Sequence, residues 1–80
     1  MIPKKELKIG VFVFPKLSMR FINKGHWIHF NNNDKLWITD KCRLNESEYL
    51  LKIGRRGKHK IGEGYFLHQD QVKQLFELER

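Results

Sequence analysis

Tyr49 to Phe66 reads YLLKIGRRGKHKIGEGYF, and this stretch carries five cations, four glycines and a single acid. Apolar residues alternate on both sides of the central RGKH, which predicts two strands, Glu48–Arg55 and Lys60–Leu67, joined by a basic turn. Period two puts Tyr49, Leu51 and Ile53 on one face of the first strand. It puts Ile61, Tyr65 and Leu67 on one face of the second. Lys52 and Lys60 then point the other way, and Gly62 and Gly64 share their side. Glycine inside a strand marks a bulge or a place where another backbone approaches closely. Here the two glycines are expected to clear space on a basic face.

Upstream, His26-Trp-Ile-His-Phe30 and Lys35-Leu-Trp-Ile-Thr39 flank the run Asn31 to Asp34. Asn and Asp tolerate positive φ and bond their own backbone, so this run predicts a hairpin turn. Pairing Ile28 with Ile38 and Phe30 with Leu36 gathers four apolar residues on one side. The opposite side then shows Trp27, His29, Trp37 and Thr39. A one-residue slip would mix tryptophan and lysine into the aliphatic face. Further upstream, Lys8 to Phe14 alternates, with Ile9, Val11 and Val13 on one face and Phe12 and Phe14 on the other, until Pro15 ends the strand. Met19 to Ile22 is a weaker strand.

Downstream, His68 to Leu78 has the period of a helix, with Val72, Leu75 and Phe76 at i, i+3 and i+4. Asp70 in the first turn suits the positive end of the helix dipole. A helix of this length is marginal alone, so it must dock on the sheet or on a second subunit. The fold class predicted is α+β: an antiparallel sheet of five to six strands, curved, with one C-terminal helix, in a single domain spanning residues 1–80.

Eighty residues with 40% apolar and 31% charged content suit one small globule. No run approaches the roughly 18 apolar residues of a membrane span. The opening MIPKKELK lacks an apolar segment after its lysines, so no secretory signal and no membrane partner are expected. Cys42 is the sole cysteine, which excludes an internal disulfide and fits a reducing, cytoplasmic compartment. Net charge is +7, yet His68 to Arg80 sets Asp70, Glu77 and Glu79 against Lys73 and Arg80. That tail sums to −1, so the first 67 residues carry +8. Positive charge in the body of the chain suits an acidic partner.

Catalytic patterns are poor. His26-x-x-His29 has a zinc-like spacing only on a helix; on a strand its side chains face opposite ways. GRRGKH lacks the Walker spacing and leads into a strand. Glu46 and Glu48 flank a bend with nothing to raise either pKa. TDKCRLN offers Cys42 no base. No enzyme, cofactor or metal is expected. Aromatics interleaved with cations suit single-stranded nucleic acid instead, since bases stack on rings while lysine and arginine follow phosphates. The candidate nucleic-acid-binding residues are Trp27, His29, Trp37, Lys52, Arg55, Arg56, Lys58 and Lys60, with Arg55, Arg56 and Lys58 taken as exposed.

The segment Gly64 to Leu75, GYFLHQDQVKQL, resembles the last strand and helix of the positive-cofactor-four type of single-stranded-DNA-binding coactivator. Gly64, Leu67, His68, Asp70 and the pair Val72 and Leu75 fill that pattern, with His68 in place of the usual Asn or Ser cap. The preceding YLLKIGRRGKHKIGEG is similar to the basic hairpin of that family. The resemblance covers Tyr49 to Leu78. It implies a curved four-stranded sheet followed by a helix, a homodimer formed through that helix, and unpaired strands bound across the sheet. The expected function is therefore sequence-tolerant binding of single-stranded DNA, favoured over RNA, in transcription, replication or recombination. The alternative is a small modulator or phage-type inhibitor that docks on an acidic protein surface. A small barrel that reads duplex nucleic acid is a third reading.

Overall fold

The computed structural model describes residues 7–78; the opening MIPKKE and the terminal Glu79 and Arg80 lie outside them. Seven strands and one helix form among the described residues, in the order β1 (Phe12–Pro15), β2 (Met19–Asn23), β3 (His26–Phe30), β4 (Leu36–Arg43), β5 (Tyr49–Arg55), β6 (Tyr65–His68), α1 (Gln69–Leu75) and β7 (Phe76–Leu78). Five of the strands make a curled antiparallel sheet in the order β6-β5-β4-β1-β7, and β2 pairs only with β3. The α+β class with a C-terminal helix is as predicted.

The core lies between two layers. Val13, Leu36, Ile38, Leu51, Ile53 and Leu67 line the inner face of the large sheet, and Ile28 and Phe30 cover them from the small hairpin. Phe30 is fully buried and meets Phe21, Tyr65 and Phe76 ring to ring, with centroids 5.4, 6.0 and 6.0 Å away. Truncating a side chain this enclosed costs on the order of 3–5 kcal/mol.

The expected hairpin between His26–Phe30 and Lys35–Thr39 does not form. β3 instead pairs with β2, Ile22 opposite Trp27 and Met19 opposite Phe30. β4 pairs with β1 on one side and β5 on the other. The cause is the turn at Lys24 and Gly25, whose φ values of 52° and 79° are both positive. A two-residue turn of this kind matches strand twist and closes a hairpin locally. Asn31–Asp34 is still a turn, held by Asp34 N–H to Asn31 O and by Asn31 N–H to the Asp34 carboxylate, each 2.9 Å. It carries the chain from one layer to the other. Ile28, Phe30, Leu36 and Ile38 do share a core, but across two layers.

Three other boundaries move. The first strand begins at Phe12 and not at Lys8, because residues 9 and 10 form a turn at Gly10 (φ 96°) that leaves Ile9 exposed. Lys60–Leu67 is not one strand: residues 60–64 are loop, β6 begins at Tyr65, and Ile61 is 69% exposed. The helix stops at Leu75, three residues short of the expected end. Phe76 turns extended (φ −124°, ψ 149°), and β7 pairs with β1, Pro15 opposite Phe76 and Val13 opposite Leu78. Giving β1 a second neighbour outweighs one more helical turn. The apolar stripe is nevertheless buried as predicted, with Val72 and Phe76 in the core and Leu75 packed against it. The helix therefore docks on its own sheet. His68 caps it: Nδ1 accepts from Asp70 N–H at 3.1 Å while Gln71 Oε1 accepts from His68 N–H at 3.0 Å.

Candidate nucleic-acid interface

Directly opposed residues in a sheet share a face, so the register locates the side chains. Phe12 opposes Trp37, which opposes Gly54 on the far side of β4. Lys52 opposes Phe66. Their strand neighbours Val13, Leu36, Ile38, Ile53 and Leu67 are core, so Phe12, Trp37, Gly54, Lys52 and Phe66 all lie on the outer face. Here cations and rings meet. Lys35 Nζ lies 4.5 Å and the Arg56 guanidinium 5.4 Å from the Phe12 ring centre, and Lys52 Nζ lies 4.7 Å from that of Phe66.

Between these two groups the segment 56–64 folds back over the outer face and is pinned there. A bulge between Ile38 and Asp40 turns Thr39 outward, where its hydroxyl donates to Glu63 O and its carbonyl accepts from Gly62 N–H at 3.0 Å. Lys52 Nζ donates to Gly62 O at 2.6 Å. Lys60 N–H donates to the Glu63 carboxylate at 3.1 Å. The glycines make this seat possible. A Cβ on Gly54 would sit 2.7 Å from His59 Cβ and 2.8 Å from Thr39 Cγ2. A Cβ on Gly64 would sit 2.6 Å from Ile53 O, at a φ of +132°. Close backbone approach thus explains Gly64, while Gly62 belongs to the turn.

His59 closes the base of the loop. Its Nδ1 accepts from Arg55 N–H at 2.7 Å, and its ring packs edge-on against Tyr65. Partial burial holds its pKa below the ordinary value of 6.5, with the Lys58 charge adding to the effect. A neutral ring is what the accepting Nδ1 requires. Arg56, Lys58 and Lys60 are left exposed around the loop.

The predicted site residues do not share one surface. Trp37, Lys52, Arg56, Lys58 and Lys60 gather on the outer side of the large sheet. Trp37 is half-buried, and its Nε1–H is enclosed without a partner among the described residues. Trp27 and His29 alternate with the core residues Ile28 and Phe30, so they face outward from the opposite layer; Trp27 is 70% exposed. Arg55, expected to be exposed, faces inward. Its guanidinium donates to Asp34 Oδ2 at 2.9 Å and to His29 O at 2.6 Å, and it lies 5.1 Å from the Phe30 ring centre. That arginine straps the two layers together.

Phe12, Phe66 and Lys35 were not among the predicted residues. The signal was present for the aromatics, since the alternation that buries Val13 and Leu67 turns Phe12 and Phe66 outward. Among the described residues, no three His, Cys, Asp or Glu side chains cluster as metal ligands, and no helix is long and apolar enough to cross a membrane. Comparison with family models, curated proteins and solved structures finds no match to the chain.

Proposed function

We propose that this chain binds single-stranded nucleic acid on the outer side of the large sheet, at Phe12 on one side of the loop 56–64 and Phe66 on the other, with that loop as the basic ridge between them. The observation that carries this is the pairing of cations with rings on both sides of the loop, Lys35 and Arg56 at Phe12 and Lys52 at Phe66. A base on Phe66 or Phe12 lies beside a cation that can meet the adjoining phosphate. At Phe12 this is the Arg56 guanidinium; at Phe66 it is the Lys52 ammonium, which has donors left beyond its bond to Gly62 O. Each stacked base then contributes on the order of 1–3 kcal/mol, with little dependence on sequence. Exposed Lys58 and Lys60 extend the phosphate path, and the net charge of +7 steers an anionic strand toward it. The resemblance at Gly64–Leu75 favours DNA over RNA.

The test is binding of a fluorescent oligo-thymidine as salt is varied. Affinity falls log-linearly with salt, by about 0.7 in slope per phosphate contacted. Replacing Arg56, Lys58 and Lys60 together by alanine flattens that slope by roughly 2, if each meets one phosphate. An unchanged slope removes the loop from the interface, and no binding by the native chain removes the reading altogether. Docking on an acidic protein surface remains the second reading. A cavity of about 410 Å³ lined by Met19, Phe21, Leu67 and Leu75 would take an apolar side chain of such a partner, with Arg20 beside it for an acid. A protein partner predicts defined stoichiometry and indifference to oligonucleotides.

A further inference from the structure

The hairpin β2–β3 presents a second surface, on the layer facing away from the loop. Register places Arg20 opposite His29 and Ile22 opposite Trp27 on its outer side. Ile22 and Trp27 are 60% and 70% exposed, and an open cleft is lined by Arg20 and Trp27. Lys24 stands at the tip, held by the tight turn with Gly25. From Lys16 to Asn33 the sequence has Lys16, Arg20 and Lys24 and no acid at all. An indole and a guanidinium on either side of one cleft match a base and its phosphate, by stacking and by forked hydrogen bonding. The core lies between Trp27 and His29 on this surface and Phe12 and Trp37 on the sheet face, while at the β6 edge Arg20 and Ile22 line one cavity with Phe66.

We infer that the hairpin is a second site for single-stranded nucleic acid, so that one chain holds two strand segments back to back and bridges them. This inference rests on the proposed function and adds an activity to it: bringing two unpaired strands together, as in annealing or condensation. A single-faced binder would not do this.

Two measurements decide it. In Trp37→Phe protein the only indole is Trp27, and oligo-thymidine is expected to quench it. Energy transfer between a donor-labelled and an acceptor-labelled oligo-thymidine is expected with the native chain at sub-stoichiometric protein. The double variant Arg20→Ala, Trp27→Ala is expected to lower that transfer about tenfold or more, the effect of losing one stacked base, while single-oligonucleotide affinity at the sheet face persists. Both positions are exposed, and circular dichroism of the variant checks that it folds. Undiminished transfer in the double variant overturns the inference, because bridging then comes from elsewhere, such as a second copy of the chain. A Trp27 that responds to anionic phospholipid vesicles but not to the oligonucleotide also overturns it. In either case the sheet-face reading stands if Arg56→Ala, Lys58→Ala, Lys60→Ala protein still loses affinity. If the native chain binds no oligonucleotide, both readings fall together.

Discussion

Arg55 and Arg56 are neighbours in sequence and opposites in role. Arg55 ends β5 on the inner side, where Asp34, the His29 carbonyl and the Phe30 ring take up its guanidinium. Arg56 begins the loop on the outer side, exposed, beside Phe12. One step along a strand reverses the face, and the face decides whether a cation is taken up by the fold or left open to solvent. The same contrast separates Trp37, half sunk into the sheet, from Trp27, open on the hairpin. Residue type is shared within each pair; what the neighbours enclose is not.

Substitutions can break this contrast. The largest effect is expected at the point where the loop returns to the sheet. Gly64→Ala drives a Cβ into Ile53 O at a positive φ and should lower stability by about 2–4 kcal/mol, measured by urea unfolding. An unchanged midpoint would mean that β5 and β6 are not so closely apposed. Next is the strap. Arg55→Ala should cost about 1–2 kcal/mol, the lower part of the range for charged hydrogen bonds because the pair is partly exposed. Arg56→Ala should stay within about 0.5 kcal/mol while weakening oligonucleotide binding. Equal losses from both arginines would erase the distinction between brace and binding residue.

Acid titration sharpens the contrast between the sites of His59 and Glu48. The folded pKa of His59 is depressed below 6.5 mainly by burial, so the unfolded chain takes up more protons there. Stability should therefore decline as pH falls below about 6.5, and His59→Gln should remove that part of the decline. Glu48 is held below its usual 4.5 first by its hydrogen bond to His68, then by one to Asn45. Its contribution is present above the unfolded pKa and disappears as pH falls through the lower folded value. Thermal melts of Glu48→Gln across that acid range check it. The smallest effect is expected from Trp37→Phe. It removes an enclosed, unpartnered N–H along with part of the ring, so the two changes oppose one another.

The periodicity of the chain made legible most of the core, though not the exposure of Ile9 and Ile61, and it left unsaid which strands are neighbours. Ile28, Phe30, Leu36 and Ile38 are core residues, as the alternation indicated, but shared burial is satisfied equally by cross-strand pairing and by packing across layers. The Lys24-Gly25 turn settled the pairing through backbone dihedrals that an Asn-rich run only imitates in composition. The helix face was readable for the same reason as the strands. Its end was not, because a strand edge elsewhere in the fold captured Phe76–Leu78. At the site, Lys52, Arg56, Lys58 and Lys60 were readable as outward cations. Arg55 was not, since nothing local announces Asp34 or the His29 carbonyl. Phe12 and Phe66 follow from the same alternation that buries Val13 and Leu67, which turns both rings to the outer face.

One titration bears most directly on the outer sheet face. In Trp27→Phe protein, Trp37 is the sole indole and sits between Phe12 and Gly54 on that face. Adding oligo-thymidine at low salt should quench its emission, and raising the salt should restore it. Emission that stays constant up to saturating oligonucleotide would contradict a strand lying across these residues.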